Sequence, residues 1–153
     1  MIKENNKGEW SEFYAFLKIL EDGKLFAADK NLEIIDGKFF VFHKIFRDEK
    51  DEPVKIYDLS QSDTQVLITD EAGRTLKEFD SSALKEKTLR IFERIRDEKS
   101  RSFTIPEACE LLEELLCTKV KASNSKKAAL VAIIYDRISK TAPMLGLSIK
   151  SKI

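Results

Sequence analysis

Residues 25–46 read LFAADKNLEIIDGKFFVFHKIF, and this stretch decides the fold class of the chain. Two apolar, strand-like runs, residues 25–35 and 38–46, flank the dipeptide Asp36-Gly37. Asp-Gly between two such runs is the strongest two-residue signal for a hairpin turn. The sequence therefore predicts a β-hairpin with its turn at Asp36-Gly37.

Three shorter strands are predicted downstream of this hairpin, at residues 54–59, 64–69 and 74–79. Pro53 closes the charged loop before the first of them, and Gly73 lies in the turn before the last. We therefore expect the middle of the chain to form a small antiparallel meander.

Helices are predicted on both sides of the meander. A first helix is predicted over residues 8–22, where the apolar residues recur at helical spacing and form one buried face: Trp10, Phe13, Leu17 and Leu20. Gly23 is expected to end this helix. After the meander, Ser81 or Ser82 is predicted to cap a second helix, with its buried side formed by Leu84, Thr88, Leu89, Phe92 and Ile95. A third helix is predicted from a capping-box pattern made by Thr104, Pro106 and Glu107.

The last predicted elements are strands at residues 128–135 and 145–151. An N-terminal helix, an antiparallel meander, two helices and a final β-hairpin give an α+β fold class. We expect residues 1–153 to form a single domain, with the helices and meander in residues 1–117 and a basic segment in residues 118–153.

Charge is balanced overall but unevenly distributed. The chain has 27 Lys and Arg and 27 Asp and Glu residues, which argues against a nonspecific nucleic-acid binder. From Thr118 onward the acid is Asp136, and the basic residues are Lys119, Lys121, Lys126, Lys127, Arg137, Lys140, Lys150 and Lys152. This asymmetry suits a surface that contacts DNA phosphates through Lys119, Lys121, Lys126, Lys127 and Arg137, although a solvated basic tail gives the same pattern.

Neither targeting nor membrane segments are recognisable, so a cytoplasmic location is expected. The two cysteines, Cys109 and Cys117, are eight residues apart in one predicted helical region. At ~1.5 Å per residue they would stand about 12 Å apart, too far for a disulfide, and we expect buried thiols. Without a CxxC spacing, a structural zinc site is not supported.

A candidate nuclease motif lies in the final hairpin. Asp136 follows the apolar run 130–134, and Ser148-Ile149-Lys150 follows twelve residues later. A carboxylate can hold Mg²⁺ through hard oxygen ligands, the metal can activate water, and a lysine can polarise the nucleophile. Taken alone the pattern is weak, because a charged hairpin edge has the same appearance.

Two further titratable residues were considered. Glu9 falls within the apolar arc of the first helix, where a carboxylate needs a partner or a metal. The alternative is a wet first-turn glutamate that the helix dipole favours. His43 follows an aromatic run and has no identifiable catalytic partner, so we expect it to be structural.

Two stretches of the chain resemble one known family. Residues 6–12 (NKGEWSE), continuing through 16–18 and 23–25, look like the start of the HpaII-like type II restriction endonucleases. Residues 145–151 (LGLSIKS) resemble that family's Gly-Phe-Ser-Ile-Lys-Ser segment. The resemblance implies a PD-(D/E)xK nuclease that cleaves duplex DNA at a short palindrome with Mg²⁺, the site being CCGG for the family's namesake.

The resemblance also implies roles for individual residues and partners. Lys150 would be the motif lysine, Ser148 stands where many relatives in the wider class have an acid, and Glu9 would be the first-helix glutamate. A homodimer is expected, because cutting both strands of a palindrome usually calls for two sites. A cognate DNA methyltransferase is expected in the same system.

The chain departs from the family pattern in two ways. Ala128-Ala129 occupies the place where the wider class often has its metal-binding aspartate. Either Asp136 replaces that aspartate, or an expected carboxylate is missing. Because family members continue beyond the lysine strand, we expect this chain to be the amino-terminal part of a longer endonuclease, which can leave it inactive.

A noncatalytic DNA- or protein-binding module is the alternative from another functional class. A steep salt dependence of DNA binding favours the nuclease interpretation, whereas binding to protein alone favours the interaction module.

Overall fold

The computed structural model describes residues 4–28, 31, 33–122, 130–135 and 140–147. Its helices and strands follow the predicted order, and the α+β fold class is confirmed. The described elements are β1 (Asn5–Asn6), α1 (Lys7–Asp22), β2 (Lys24–Ala28), β3 (Ile34–Arg47), β4 (Lys55–Asp58), β5 (Gln65–Thr69), β6 (Thr75–Asp80), a 3-10 turn (Ser81–Ala83), α2 (Leu84–Asp97), β7 (Ser102–Phe103), α3 (Pro106–Glu114), β8 (Leu130–Tyr135) and β9 (Met144–Leu147).

The main sheet is antiparallel and runs in the order β6-β5-β4-β3-β8-β9, with β2 also paired to β3. The long strand β3 pairs with three other strands of this sheet, β2, β4 and β8. Near Arg47, β3 pairs with β4, and its other edge pairs with β8 from Val41 to Phe46. A small second sheet joins β1 to β7. One sheet therefore connects the meander to the final hairpin.

Helix α1 matches its prediction closely, because its ends carry strong local signals. The Asn6 side chain accepts a hydrogen bond from the Glu9 amide at 2.8 Å, and the Asn6 amide donates to Glu9 Oε1 at 3.0 Å. This is a reciprocal capping box. At the other end Gly23 has a φ of 65°, a left-handed conformation that glycine adopts at low cost.

The predicted turn at Asp36-Gly37 is wrong. Strand β3 runs through both residues, and β2 pairs with it from Lys24 opposite Val41 to Ala28 opposite Ile34. The connection therefore lies between Ala28 and Ile34. Between the pair Phe26–Phe39 and the pair Ala28–Ile34, β2 advances by two residues and β3 by five. Asp36-Gly37 falls in this irregularity, so the turn-forming dipeptide accommodates a register shift instead of a turn.

Two details of α2 differ from the prediction. Neither Ser81 nor Ser82 is the capping residue: Asp80 caps the 3-10 turn by accepting a hydrogen bond from the Ser82 amide at 2.9 Å. The predicted buried side is also partly wrong. Leu84, Thr88 and Ile95 are buried as expected, but Ile91 is the other buried residue, and Leu89 is 59% exposed. Phe92 is half-buried and packs against Tyr14.

The predicted cap of α3 is wrong by one residue. Ile105, not Thr104, is the N-cap, and it makes no side-chain capping bond. Pro106 lies in the first turn as expected, where its missing N–H is not needed. The fixed φ of proline therefore starts this helix without a capping side chain.

The hydrophobic core lies between one face of the sheet and the helices. Burial alternates along β5 and β8, which is typical of strands with one face toward a core. Phe16 of α1 packs edge-on against Tyr57 of β4, with ring centroids 5.0 Å apart. Cys117 is a buried free thiol and Cys109 a half-buried one. Within the described ranges, no helix is long and apolar enough to cross a membrane.

Candidate functional site

A surface cleft of about 400 Å³ opens beside the first turn of α1. Three lysines and two glutamates contribute to its lining. We call it the lysine cleft, and its lining is Glu4, Asn5, Glu9, Lys50, Lys119, Val120 and Lys121. The structure thus brings together three of the residues selected from the sequence, namely Glu9, Lys119 and Lys121.

The segment that carries Lys119 is held by a buried ion pair. Arg47 Nε lies 2.9 Å from Glu49 Oε2, and the two residues are 5% and 2% exposed. Glu49 accepts hydrogen bonds from the amides of Thr118 at 3.0 Å and Lys119 at 3.2 Å. Arg47 donates to the carbonyls of Lys119 at 2.6 Å and Val120 at 3.1 Å. One ion pair therefore fixes the backbone of residues 118–120, which carries Lys119 to the cleft.

Aromatic rings of α1 cover the same ion pair. The Arg47 guanidinium lies 4.9 Å from the ring centre of Phe16 and 5.7 Å from that of Phe13, within the range of cation–π contacts. Burial by itself would raise the pKa of Glu49, but hydrogen bonds from Thr118 and the charge of Arg47 outweigh it and hold that pKa below its usual value. Glu49 is therefore an ionised, fully engaged carboxylate.

Glu9 occupies the third position of α1 and is half-buried. Its Oε1 accepts the Asn6 amide, so the partner that a carboxylate on this face requires is provided by the helix cap. This agrees with the first-turn alternative considered from the sequence. A metal-binding role for Glu9 would have to use the same side chain, and it stays a prediction.

Glu12 lies one turn further along α1. Its pKa is raised, chiefly by burial and also by the nearby charge of Glu9, while Lys121 and Arg47 act to lower it. Glu12 therefore lies within electrostatic range of both Glu9 and Lys121. The sequence signal for its proximity to Glu9 is their three-residue spacing on the helix.

Among the residues that the structure describes, no group of three His, Cys, Asp or Glu side chains comes together to hold a metal ion. Asp58, another buried acid, is engaged by Ser60, whose hydroxyl lies 2.6 Å from its Oδ1.

Most predicted residues of the nuclease motif and the basic tail lie outside the described residues. These are Lys126, Lys127, Asp136, Arg137, Ser148 and Lys150, together with the Ala128-Ala129 position. Their assigned roles therefore stay predictions.

The described part of the final hairpin constrains where the chain enters and leaves it. Leu130 pairs with Leu147, and Ile133 pairs with Met144. Tyr135, which precedes Asp136 in the sequence, is five residues along β8 from Leu130, or about 16 Å at ~3.3 Å per residue. Tyr135 and Leu147 thus lie at opposite ends of the hairpin.

The β3–β8 register relates these two ends to the lysine cleft. Phe46 is opposite Val131, whereas Val41 is opposite Tyr135. The Leu130–Leu147 end of the hairpin therefore lies beside Arg47, whose guanidinium binds the Lys119–Val120 backbone. Leu147, after which the sequence continues into Ser148-Ile149-Lys150, is at the cleft end of the sheet.

His43 stacks on Tyr135 across the β3–β8 pair, with ring centroids 5.6 Å apart and planes 8° from parallel. This contact is at the Tyr135 end of the hairpin, away from the lysine cleft. This ring contact agrees with the expected structural role of His43.

Sequence reasoning missed Arg47, Glu49 and Lys50. It placed all three at the start of a charged loop, where charge by itself indicates solvent exposure. The backbone groups that Arg47 and Glu49 bind lie about 70 positions later in the chain. No local signal could have identified them.

Comparison with known proteins gives a consistent result. The model of the HpaII restriction endonuclease family matches residues 6–153. The type II restriction enzyme HpaII of Haemophilus parainfluenzae is 31% identical over 149 residues, which cover 97% of this chain and 40% of that relative. The chain thus spans less than half the length of this curated relative. No solved structure matches the chain significantly. This chain belongs to the HpaII restriction endonuclease family.

Proposed function

We propose that this chain forms part of a type II restriction endonuclease that hydrolyses phosphodiester bonds of duplex DNA at a short palindrome, CCGG. The observation that carries the proposal is the family match, which extends from the α1 cap at residue 6 through the Ser148-Ile149-Lys150 segment. The relative that is 31% identical over 149 residues is a type II restriction enzyme by name.

The lysine cleft is the proposed contact with the DNA backbone. Lys50, Lys119 and Lys121 line it, and lysine ammonium groups neutralise phosphates without reading sequence. Lys126, Lys127 and Arg137 are proposed to extend this contact.

The chemistry is proposed to take place at the cleft end of the sheet. Leu147 leads into Ser148 and Lys150 at that end, and Glu9 lines the cleft there. Lys150 is proposed to orient or polarise the nucleophile, with Ser148 as a further residue of the site. Bound Mg²⁺ would activate water and offset the charge that builds on the phosphate.

Glu9 and Asp136 are the proposed metal ligands. For Glu9 the support is its place in the cleft, one turn from Glu12. For Asp136 the register is less favourable, since Tyr135 lies at the far end of the hairpin from Leu147. An Asp136→Asn variant separates the two assignments: loss of cleavage supports Asp136, and full activity removes it from the site.

The test is cleavage of a CCGG-containing duplex by the purified chain, with Mg²⁺ and with a chelator. We expect cleavage with Mg²⁺, its loss in Lys150→Ala, and its retention in Lys152→Ala, which removes the same charge two residues later. Cleavage by a folded Lys150→Ala protein at the wild-type rate would contradict the site assignment.

Binding without cleavage is an informative outcome of the same test. A folded chain that binds duplex DNA but never cuts it would be an inactive part of the endonuclease or a noncatalytic DNA-binding module. A chain that binds only protein would be an interaction module.

The remaining expectations concern the cellular context. Two copies are proposed to act together, because cutting both strands of a palindrome usually calls for two active sites. We propose that the enzyme acts in the cytoplasm alongside a methyltransferase that protects the same sites.

A further inference from the structure

The segment 118–121 carries two cleft lysines but belongs to neither a helix nor a strand. Outside regular structure, a backbone has no hydrogen-bond ladder of its own to fix its conformation. Here the Arg47–Glu49 pair takes over that task. It binds two successive amides, of Thr118 and Lys119, and two successive carbonyls, of Lys119 and Val120.

Burial of one side chain in this segment fixes the orientation of the backbone. Val120 is 3% exposed and packs in the core, so it anchors the segment between the two lysines. Lys119 Nζ donates to the carbonyl of Lys50 at 3.0 Å, which holds its ammonium group at the cleft. Lys121 is exposed on the other side of Val120. Residues 118–121 therefore present the charges of Lys119 and Lys121 to the cleft, on either side of the buried Val120.

We propose that Arg47 and Glu49 are positioning residues, which hold Lys119 and Lys121 in place to contact two DNA phosphates. The inference rests on the proposed function, because it assumes that the lysine cleft binds DNA. It goes further by assigning a role in DNA binding to two buried residues that touch no DNA themselves.

The positioning role and the change in net charge predict opposite effects of a Glu49→Gln substitution on DNA affinity. Replacing Glu49 by Gln makes the protein more positive by one charge, which on charge alone strengthens binding to DNA. If Glu49 instead positions the lysines, the same replacement weakens binding. A glutamine also places an amide donor where Glu49 Oε1 or Oε2 now accepts N–H groups, so it cannot keep all these bonds.

The first measurement is the slope of log affinity against log salt concentration for duplex DNA. Each phosphate contact contributes about −0.9 to this slope, so losing two contacts makes it shallower by about 1.8. We expect this change in Glu49→Gln and also in a Lys119→Ala/Lys121→Ala double variant. A merely structural role would lower stability and leave the slope of the folded protein unchanged.

The matched control is Glu86→Gln, which makes the same chemical change and breaks an exposed pair with Arg90 on α2. We expect its slope to equal that of the wild type. Thr118→Val is a milder second variant, because it removes one hydroxyl that donates to Glu49 at 3.1 Å. It keeps the test valid if Glu49→Gln does not fold, and we expect a slope between those of the wild type and the double variant.

Amide hydrogen exchange supplies a readout that needs no DNA. We expect exchange at Thr118 and Lys119 to accelerate at least about tenfold in Glu49→Gln, corresponding to the loss of one hydrogen bond, and exchange at Ile68 to stay unchanged. Faster exchange with an unchanged salt slope would overturn the positioning role while leaving DNA binding intact. A wild-type chain without salt-dependent DNA affinity would instead overturn the proposed function, and this inference with it.

Discussion

The indole Nε1 of Trp10 donates a hydrogen bond to the backbone carbonyl of Phe103, 93 residues later in the chain, at 2.8 Å. Trp10 is fully buried in the second turn of α1, and Phe103 belongs to β7, which pairs with β1. This bond and the β1–β7 pair together tie the amino end of α1 to the connection between α2 and α3. The wall of the lysine cleft that Glu9 provides therefore depends on a nonlocal contact.

Trp10→Phe is expected to lower the free energy of unfolding by about 1–3 kcal/mol, because it leaves a buried carbonyl without its donor and removes part of a core side chain. Urea denaturation followed by circular dichroism measures the change. Leu89→Ala is the control, and since Leu89 is 59% exposed we expect a shift within about 0.5 kcal/mol. Equal stability of Trp10→Phe and wild type would mean that this bond contributes nothing.

The Arg47–Glu49 pair is expected to be strongly coupled. Glu49→Leu leaves the buried Arg47 without its carboxylate, and Arg47→Met leaves the buried Glu49 with only the longer contact to Lys55, at 3.8 Å. Each single loss is expected to cost up to about 3–5 kcal/mol. The double variant removes both charges, so its loss is expected to be smaller than the sum of the two single losses. Urea denaturation of the four proteins measures this coupling, and strictly additive losses would contradict it.

Glu49 is also expected to shape the acid stability of the fold. Its pKa is lowered from 4.5, so the folded state binds this proton more weakly than the unfolded state does. The resulting stabilisation is fully present above the unfolded pKa and is lost as the pH falls through the folded one. We expect the unfolding free energy of the wild type to fall more steeply below pH 4.5 than that of Glu49→Gln. Parallel curves for the two proteins would contradict this.

Glu9→Gln separates capping from metal binding. Glutamine at this helix position can still accept the Asn6 amide, so the unfolding free energy should change by less than about 0.5 kcal/mol. If Glu9 holds Mg²⁺, the lost charge should reduce metal-dependent cleavage by about 10- to 100-fold. A stable variant with wild-type cleavage would limit Glu9 to its capping role.

The elements that could be predicted from the sequence are those with signals close together in the chain. Helix α1 has its apolar face and terminal glycine within residues 10–23, and the structure confirms both predictions. Its Asn6 cap is an equally local signal, but it was not predicted. The prediction of a turn at Asp36-Gly37 was wrong because the pairing of Phe26 with Phe39 decides the register of the hairpin. Register depends on partners across the sheet, which the dipeptide alone does not reveal.

The candidate site was partly predictable for the same reason. Glu9, Lys119 and Lys121 were selected from helical phase and charge distribution, and the structure places them around one cleft. Arg47 and Glu49 were not selected, because a charged pair at a strand end looks solvent-exposed in sequence. Their burial follows from the packing of Phe13 and Phe16 above them and of residues 118–120 beside them.

The central claim is site-specific cleavage of DNA, and a plasmid with a single CCGG site tests it most directly. The control plasmid is identical except that this site reads CGCG, which keeps composition and length. With Mg²⁺ and the purified chain, we predict one cut at the CCGG site and an intact control plasmid. Equal cutting of both plasmids would contradict site-specific cleavage, and no cutting of either by a folded chain would contradict the activity of this chain but not its family.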